Sequence, residues 1–161
     1  MTAEATTEMG YETRCGVSVP ELGFGTWEMD SETAEESVGH ALSVGYRHID
    51  TAQVYDNEDG VGEAVAASDV DRSEVFLTTK VDPSNQTIRD IVAAVKESLE
   101  RLQTDQVDLL LVHWPHPLAD METVVRGLNE VVDRGMTRFI GVSNFDADQL
   151  ARAQGFSDAP I

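Results

Sequence analysis

Two side chains capable of acid–base chemistry stand five residues apart in the chain: the carboxylate of Asp50 and the phenol of Tyr55. The apolar run ending at Asp50 is typical of a strand, so we expect Tyr55 in the loop that follows it. A phenol has a pKa of about 10 in water and becomes a useful proton donor only beside a cation, where water is limited. One of the two lysines of the chain, Lys80, ends another predicted strand.

Further polar side chains follow the other predicted strands, at the point where each strand ends. They are Thr26 and Trp27, then His113, and finally Ser143 and Asn144. In a parallel barrel the carboxyl ends of all strands open on one face, where barrel enzymes carry their active sites. We therefore expect these side chains to gather around Tyr55.

Such a cluster favours the donation of a proton to a carbonyl oxygen. Asp50 would hold the ammonium of Lys80 in place, and that ammonium would favour a phenolate at Tyr55. A neutral imidazole at His113 could orient a carbonyl group by hydrogen bonding or relay a proton. Together these groups predict general-acid catalysis with electrostatic preorganisation while a hydride reaches the carbonyl carbon.

Each of these residues also has an ordinary structural explanation. Asp50 could cap a helix or form a structural ion pair, and Lys80 could extend its charged end into solvent. His113 could be a hydrogen-bonded core histidine, and Tyr55 a packed loop aromatic. The pair after the last predicted strand could simply shape a turn. The joint pattern favours function, because four titratable residues follow three successive strands.

Short apolar runs alternate with amphipathic helical patterns along the chain, which predicts βαβ units and a parallel sheet. The predicted strands are 21–25, 46–50, 75–80, 107–113 and 139–142, after a short hairpin or lead-in segment over 14–20. The first predicted helix begins near Ser31, which would be its N-cap. The next three helices cover 57–67, 84–102 and 120–134, and a fifth begins near Asp146. In the third helix one apolar stripe is predicted, consisting of Ile88, Ile91, Val92, Val95 and Leu99.

Several motifs of this chain resemble those of the aldo-keto reductase family. They are Leu22 to Trp27, Gly45 to Ala52 continuing through Tyr55 and Asn57-Glu58 to Gly62, Ser98 to Leu102, Val107 to Pro115, and Ile140 to Phe145. The resemblance extends from about residue 14 to the end of the sequence. Gly60 and Gly62 do not complete a Rossmann fingerprint, since its third glycine is missing.

The resemblance implies an α/β fold of the (β/α)8 TIM-barrel family and the reduction of aldehydes or ketones by NADPH or NADH. The catalytic residues that it implies are Asp50, Tyr55, Lys80 and His113. The cofactor-binding residues that it implies are Thr26, Trp27, Asp50, Ser143 and Asn144. The substrate pocket would be formed by Trp27, His113 and Trp114, and no metal is implied.

An eight-unit barrel needs about 250 residues, whereas this chain has 161 residues and five predicted βα units. We expect an acidic extension over 1–13 and an incomplete barrel over 14–161, a fragment whose closure needs a complementary C-terminal half. Three functions stay open. They are the carbonyl reductase, a Schiff-base aldolase in which Lys80 attacks a carbonyl, and an inactive or partner-completed half-barrel.

Charge and composition restrict the partners. The chain has 30 acidic and 11 basic residues and a formal net charge of -19, which disfavours nucleic acid and anionic membranes. An acidic, lysine-poor surface indicates adaptation to high salt and a halophilic source. Cys15 is the single cysteine, so we expect no intrachain disulfide and a reducing compartment. No run reaches the roughly 18 apolar residues of a membrane span, and we expect a cytoplasmic protein.

Overall fold

A computed structural model describes residues 10–14, 16–116 and 119–161. The described part opens with an antiparallel hairpin of β1 (Tyr11–Arg14) and β2 (Val17–Pro20). The hairpin thus begins three residues before the predicted start at residue 14. Residues 1–9 of the expected acidic extension, and Cys15, lie outside the described residues, and the division into extension and barrel stays a prediction.

Five parallel strands form the main sheet, and their order in the sheet follows their order in the chain. They are β3 (Gly23–Gly25), β4 (His48–Asp50), β5 (Phe76–Val81), β6 (Val107–Val112) and β7 (Thr137–Val142). Each strand is followed by a helix, which gives five consecutive βα units. The predicted α/β class and the partial (β/α)8 barrel are confirmed by this topology.

Five helices connect and follow these strands in the described residues. They are α1 (Ser31–Ser43), α2 (Glu58–Ala67), α3 (Ile88–Arg101), α4 (Met121–Asp133) and α5 (Ala147–Gln154). None of these described helices combines the length and the apolar character that crossing a membrane requires.

Two helix starts differ from the sequence prediction. The N-cap of α1 is Asp30, not Ser31, because the backbone at Asp30 is extended and its carboxylate accepts from the Thr33 N–H at 2.8 Å. Helix α3 begins four residues after the predicted Ser84, since its N-cap is Thr87, whose hydroxyl accepts from the first turn.

The core lies between the helices and the outer face of the sheet. In α3 four residues of the predicted stripe are buried, whereas Ile88, in the first turn, is 38% exposed. Every residue of β5 is buried. Leu109 and Leu111, which point into the interior of the partial barrel, are only half-buried.

Gly60 and Gly62 allow α2 to pack closely against its two neighbouring helices. A Cβ atom at Gly60 would clash with the Ser31 carbonyl at the start of α1, and one at Gly62 with the Arg101 carbonyl at the end of α3. These glycines therefore serve helix packing, in agreement with the absence of a Rossmann fingerprint.

Candidate active site

Sheet register brings Asp50 and Lys80 together. Asp50 pairs with Thr78 across the β4–β5 ladder, and Lys80 lies two residues further along β5, on the same face as Thr78. The two charged groups meet, with 2.5 Å between Lys80 Nζ and Asp50 Oδ1. Lys80 is 6% exposed, and a charge buried to this extent is stable only when it is paired and hydrogen-bonded.

The Lys80 ammonium has three hydrogen-bond acceptors around it. Besides Asp50 it donates to the Thr51 carbonyl at 2.9 Å and to the Tyr55 phenol oxygen at 3.2 Å. An ammonium group carries three N–H donors, so the described contacts use all of them. The cation is consequently fixed beside the phenol. The Thr51 carbonyl is a contributor that sequence reasoning missed, because a backbone acceptor leaves no mark on residue type.

Tyr55 is positioned by a short 3-10 turn, Gln53–Tyr55, that follows β4. The Gln53 amide donates to the Ala94 carbonyl at 3.1 Å and to the Ser98 hydroxyl at 2.9 Å, both on α3. Its oxygen accepts from the Asp82 N–H at 2.7 Å, just beyond β5. Gln53 thus holds in place the turn that carries the phenol. The sequence indicated this role only by the polar character of Gln53, two positions before Tyr55.

His113 lies against the phenol ring. It comes directly after β6, and its ring meets the ring of Tyr55 edge-on, with 5.5 Å between the centroids. Burial, and then the charge of Lys80, lower the pKa of His113 below its usual value, which favours the neutral imidazole at neutral pH. Its Nδ1 atom is buried and has no hydrogen-bond partner among the described residues. Such an unpaired buried nitrogen is uncommon in folded proteins.

The two residues that follow β3 have different environments. Trp27 is 61% exposed, and its ring lies 4.8 Å from that of Tyr55 between centroids, so it borders the open side of the cluster. Thr26 is fully buried, and its hydroxyl lies 3.3 Å both from the Asp50 carbonyl and from Asn57 Oδ1. The structure therefore gives Thr26 a supporting position, and its role in cofactor binding stays a prediction.

Ser143 and Asn144 are attached to the strand that carries His113. The Ser143 N–H donates to the Val112 carbonyl at 2.8 Å and continues the β6–β7 ladder. Asn144 adopts a left-handed backbone with φ of 63°, which asparagine tolerates better than most residues. Its amide nitrogen donates to the His113 carbonyl at 2.8 Å and to Ser143 Oγ at 3.1 Å.

Trp114 stands apart from this hydrogen-bonded cluster. It follows His113 in the chain, is 54% exposed and lines a cavity of about 30 Å³. The walls of this cavity include the ends of three neighbouring strands, at Val81, Val112 and Val142. The expected place of Trp114 in a substrate pocket stays a prediction.

Comparison with known proteins identifies relatives of this chain. The model of the aldo/keto reductase family matches residues 21–161. A methylglyoxal reductase DkgB of Salmonella typhi is 42% identical over 139 residues, which are 85% of this chain and 52% of the relative. An aldo-keto reductase of Mycobacterium sp. (strain JLS) is also 42% identical, over 84% of this chain and 49% of its own length.

Solved structures give the same result for the fold. A thermostable aldo-keto reductase, Tm1743, in complex with the inhibitor epalrestat superposes with a TM-score of 0.88 at 36% identity, covering 95% of this chain and 60% of that one. An aldo-keto reductase (AKR2E5) complexed with NADPH has a TM-score of 0.87 at 32% identity, covering 94% and 53%. The chain spans about half the length of the curated relatives that it matches. Because the family model matches most of its residues, this chain belongs to the aldo/keto reductase family.

Proposed function

We propose that this chain reduces aldehydes or ketones to alcohols with NADPH or NADH, with Tyr55 as the general acid. The observation that carries the proposal is the Lys80 ammonium, held 3.2 Å from the phenol oxygen by Asp50 and Thr51. A fixed cation at this place stabilises the negative charge that develops on the phenol oxygen as the proton leaves. The methylglyoxal reductases among the relatives make methylglyoxal the first substrate to test.

The residues around the cluster fit the nicotinamide end of such a cofactor. Within the described part of the chain, the Asn144 side-chain oxygen and the Ser143 hydroxyl hydrogen enter no hydrogen bond, so one acceptor and one donor stand side by side. A carboxamide needs this pair of partners. The exposed ring of Trp27 offers an apolar border, and Asp50 keeps 32% of its side chain accessible. When bound, the cofactor supplies the hydride that reduces the carbonyl carbon.

The residues of the chain handle the proton in this proposal. Tyr55 donates its proton to the carbonyl oxygen, and the resulting phenolate is stabilised by the adjacent Lys80 ammonium. Asp50 holds that ammonium and balances its charge before the reaction. His113, neutral because burial lowers its pKa, offers its other ring nitrogen, Nε2, to orient the carbonyl group.

A Schiff-base aldolase that uses Lys80 is disfavoured by the same contacts. Attack on a carbonyl requires a free amine with an available lone pair. The Lys80 side chain is buried, paired with a carboxylate and engaged in three hydrogen bonds, so its nitrogen is not free to attack a carbonyl carbon. Borohydride treatment with the carbonyl substrate should therefore leave Lys80 unmodified. Covalent trapping of the substrate on Lys80 would favour the aldolase over the reductase.

The third alternative, an inactive or partner-completed half-barrel, differs from the reductase in a measurable way. A complementary C-terminal half, a cytoplasmic location and adaptation to high salt all stay predictions for this chain. Under this alternative the 161-residue chain would not oxidise NADPH by itself in molar salt. Activity that appears only after addition of the C-terminal half of a relative would support the partner-completed form.

The reductase proposal is tested by the loss of NADPH absorbance in molar KCl with methylglyoxal as substrate. Wild type should show a substrate-dependent rate, and Tyr55→Phe should reduce kcat at least a hundredfold, because general acids contribute roughly 10²–10⁴-fold. Tyr46→Phe is a matched control, since that ring packs edge-on against Phe24, away from the cluster, and should keep the wild-type rate. A Tyr55→Phe variant that keeps full activity would remove the phenol from the mechanism.

A further inference from the structure

Asn57 immediately precedes α2 but does not use its side chain to cap the helix. Asparagine is favoured at this position because its oxygen normally accepts from a backbone N–H of the first turn. Here Oδ1 instead accepts from the Thr51 hydroxyl at 2.9 Å and lies 3.3 Å from the Thr26 hydroxyl. The local needs of the helix therefore do not explain the direction of this side chain.

The amide nitrogen of Asn57 binds the loop between β3 and α1. It donates to the Thr26 carbonyl and to the Met29 carbonyl, both at 2.9 Å. A carboxamide has two donor hydrogens and two acceptor lone pairs, so the four contacts of Asn57 use its whole capacity. The residue is fully buried, and no solvent competes for these bonds.

The partners of Asn57 are in turn the neighbours of the catalytic groups. Thr51, held through its hydroxyl, offers its carbonyl to the Lys80 ammonium. The loop segment held at Thr26 and Met29 carries Trp27, whose ring lies against Tyr55. The buried Asn57 side chain thus connects Thr51, next to Lys80, with the loop that carries Trp27.

We propose that Asn57 is a positioning residue that sets the Trp27 loop against Tyr55 and the Thr51 carbonyl against Lys80. Its effect on rate rests on the proposed reductase function, whereas its effect on the Trp27 environment does not. Asn57 touches no reacting group, so it acts only through these neighbours.

Asn129 offers a matched control for a purely structural role. It is 7% exposed and lies on α4, outside the cluster. Its amide donates to the Phe156 carbonyl at 3.3 Å and to Asp158 Oδ2 at 3.0 Å, as a bridge between distant segments. Replacing either asparagine by aspartate keeps the size of the side chain, removes two donors and places a charged oxygen against an acceptor.

The test uses the 161-residue chain with Trp114→Phe, so that Trp27 is the single tryptophan. Asn57→Asp and Asn129→Asp are compared in this background by acrylamide quenching of Trp27, without cofactor or substrate. We expect Asn57→Asp to raise the quenching constant about twofold, because the loop loses the two hydrogen bonds that it accepts from the Asn57 amide nitrogen. Asn129→Asp should leave the quenching constant unchanged while lowering the thermal midpoint.

An unchanged quenching constant in a folded Asn57→Asp variant would overturn the proposal. If that variant does not fold, Thr51→Val is used instead, because it removes only the hydroxyl that donates a hydrogen bond to Asn57. An unchanged quenching constant in Thr51→Val would then overturn the proposal. In an active chain, Asn57→Asp should lower kcat about tenfold and Asn129→Asp less than twofold. If wild type is inactive, the reductase proposal fails, while the quenching result still decides the position of Trp27.

Discussion

Replacing Lys80 by methionine tests the central electrostatic argument. The change removes the ammonium 3.2 Å from the Tyr55 oxygen and leaves the Asp50 carboxylate without its partner. At an effective dielectric constant of ~20, the attraction between the ammonium and a phenolate at this distance is about 5 kcal/mol. Asp50 Oδ1 lies 2.5 Å from Lys80 Nζ, and Nζ lies 3.2 Å from the phenol oxygen. The two oxygens are therefore at most about 6 Å apart, and the carboxylate opposes the phenolate by at least about 3 kcal/mol.

These values predict different losses for the single and the double variant. If about half of the charge has developed in the transition state, Lys80→Met loses about 2.5 kcal/mol, roughly seventyfold in kcat. Adding Asp50→Asn also removes the repulsion, so the double variant loses only about 1 kcal/mol, roughly fivefold. The double variant should therefore be roughly ten times faster than Lys80→Met alone.

The assay is the initial rate of NADPH oxidation at saturating cofactor and methylglyoxal, since Asp50 is also expected to contact the cofactor. Lys96→Met is the matched control: it makes the same replacement at an exposed position of α3. Circular dichroism melting establishes that each variant is folded. A Lys80→Met rate within threefold of wild type, or a double variant no faster than the single one, would refute the argument that Lys80 acts through its charge.

Three further predictions concern stability. Glu58 is 1% exposed and Glu97 is largely exposed, and both contact Arg101. Glu58→Ala leaves the buried Thr79 hydroxyl without its acceptor and should lower the free energy of unfolding by about 2 kcal/mol in urea titrations. Glu97→Ala should lower it by less than about 0.5 kcal/mol. Equal losses of unfolding free energy in the two variants would show that burial of the glutamate does not determine its contribution to stability. Burial lowers the pKa of His113 and of His48 in the folded chain. Below the ordinary histidine value of about 6.5 the unfolded chain therefore binds more protons than the folded chain, and the free energy of unfolding falls as the pH drops. His113→Gln should make the decrease between about pH 7.5 and about pH 5.5 smaller; an equal decrease in the variant would exclude His113 as a source. Because the net charge is -19, raising KCl from about 0.1 M to about 1 M should raise the melting temperature through screening; an unchanged midpoint would argue against adaptation to high salt.

The parallel sheet could be predicted because apolar runs and amphipathic patterns alternate regularly. The family resemblance implies that neighbouring strands follow chain order, and in a barrel the carboxyl ends of those strands define one face. The meeting of Asp50 with Lys80 follows from that register and from the two-residue period of strands. Most of the cluster could thus be anticipated from residue positions together with the family motifs.

The supporting contacts could not be predicted, because they join groups far apart in the sequence. Gln53 reaches Ser98 on α3, and Asn57 reaches Met29, 28 positions earlier. Residue type alone does not indicate which of several turn conformations such an amide stabilises. The same limit applies to Thr26, whose full burial could not be predicted from its residue type.

Two of the contacts around the proposed proton donor lie between neighbouring strands of the described sheet. Asp50 and Lys80 meet across β4 and β5, and Asn144 binds the carbonyl of His113 across β6 and β7. If the geometry at Lys80 is sufficient, a chain that binds NADPH weakly should still show a kcat sensitive to Tyr55→Phe once cofactor is saturating. A rate that depends on cofactor binding but not on Tyr55 would show that this geometry does not carry the chemistry.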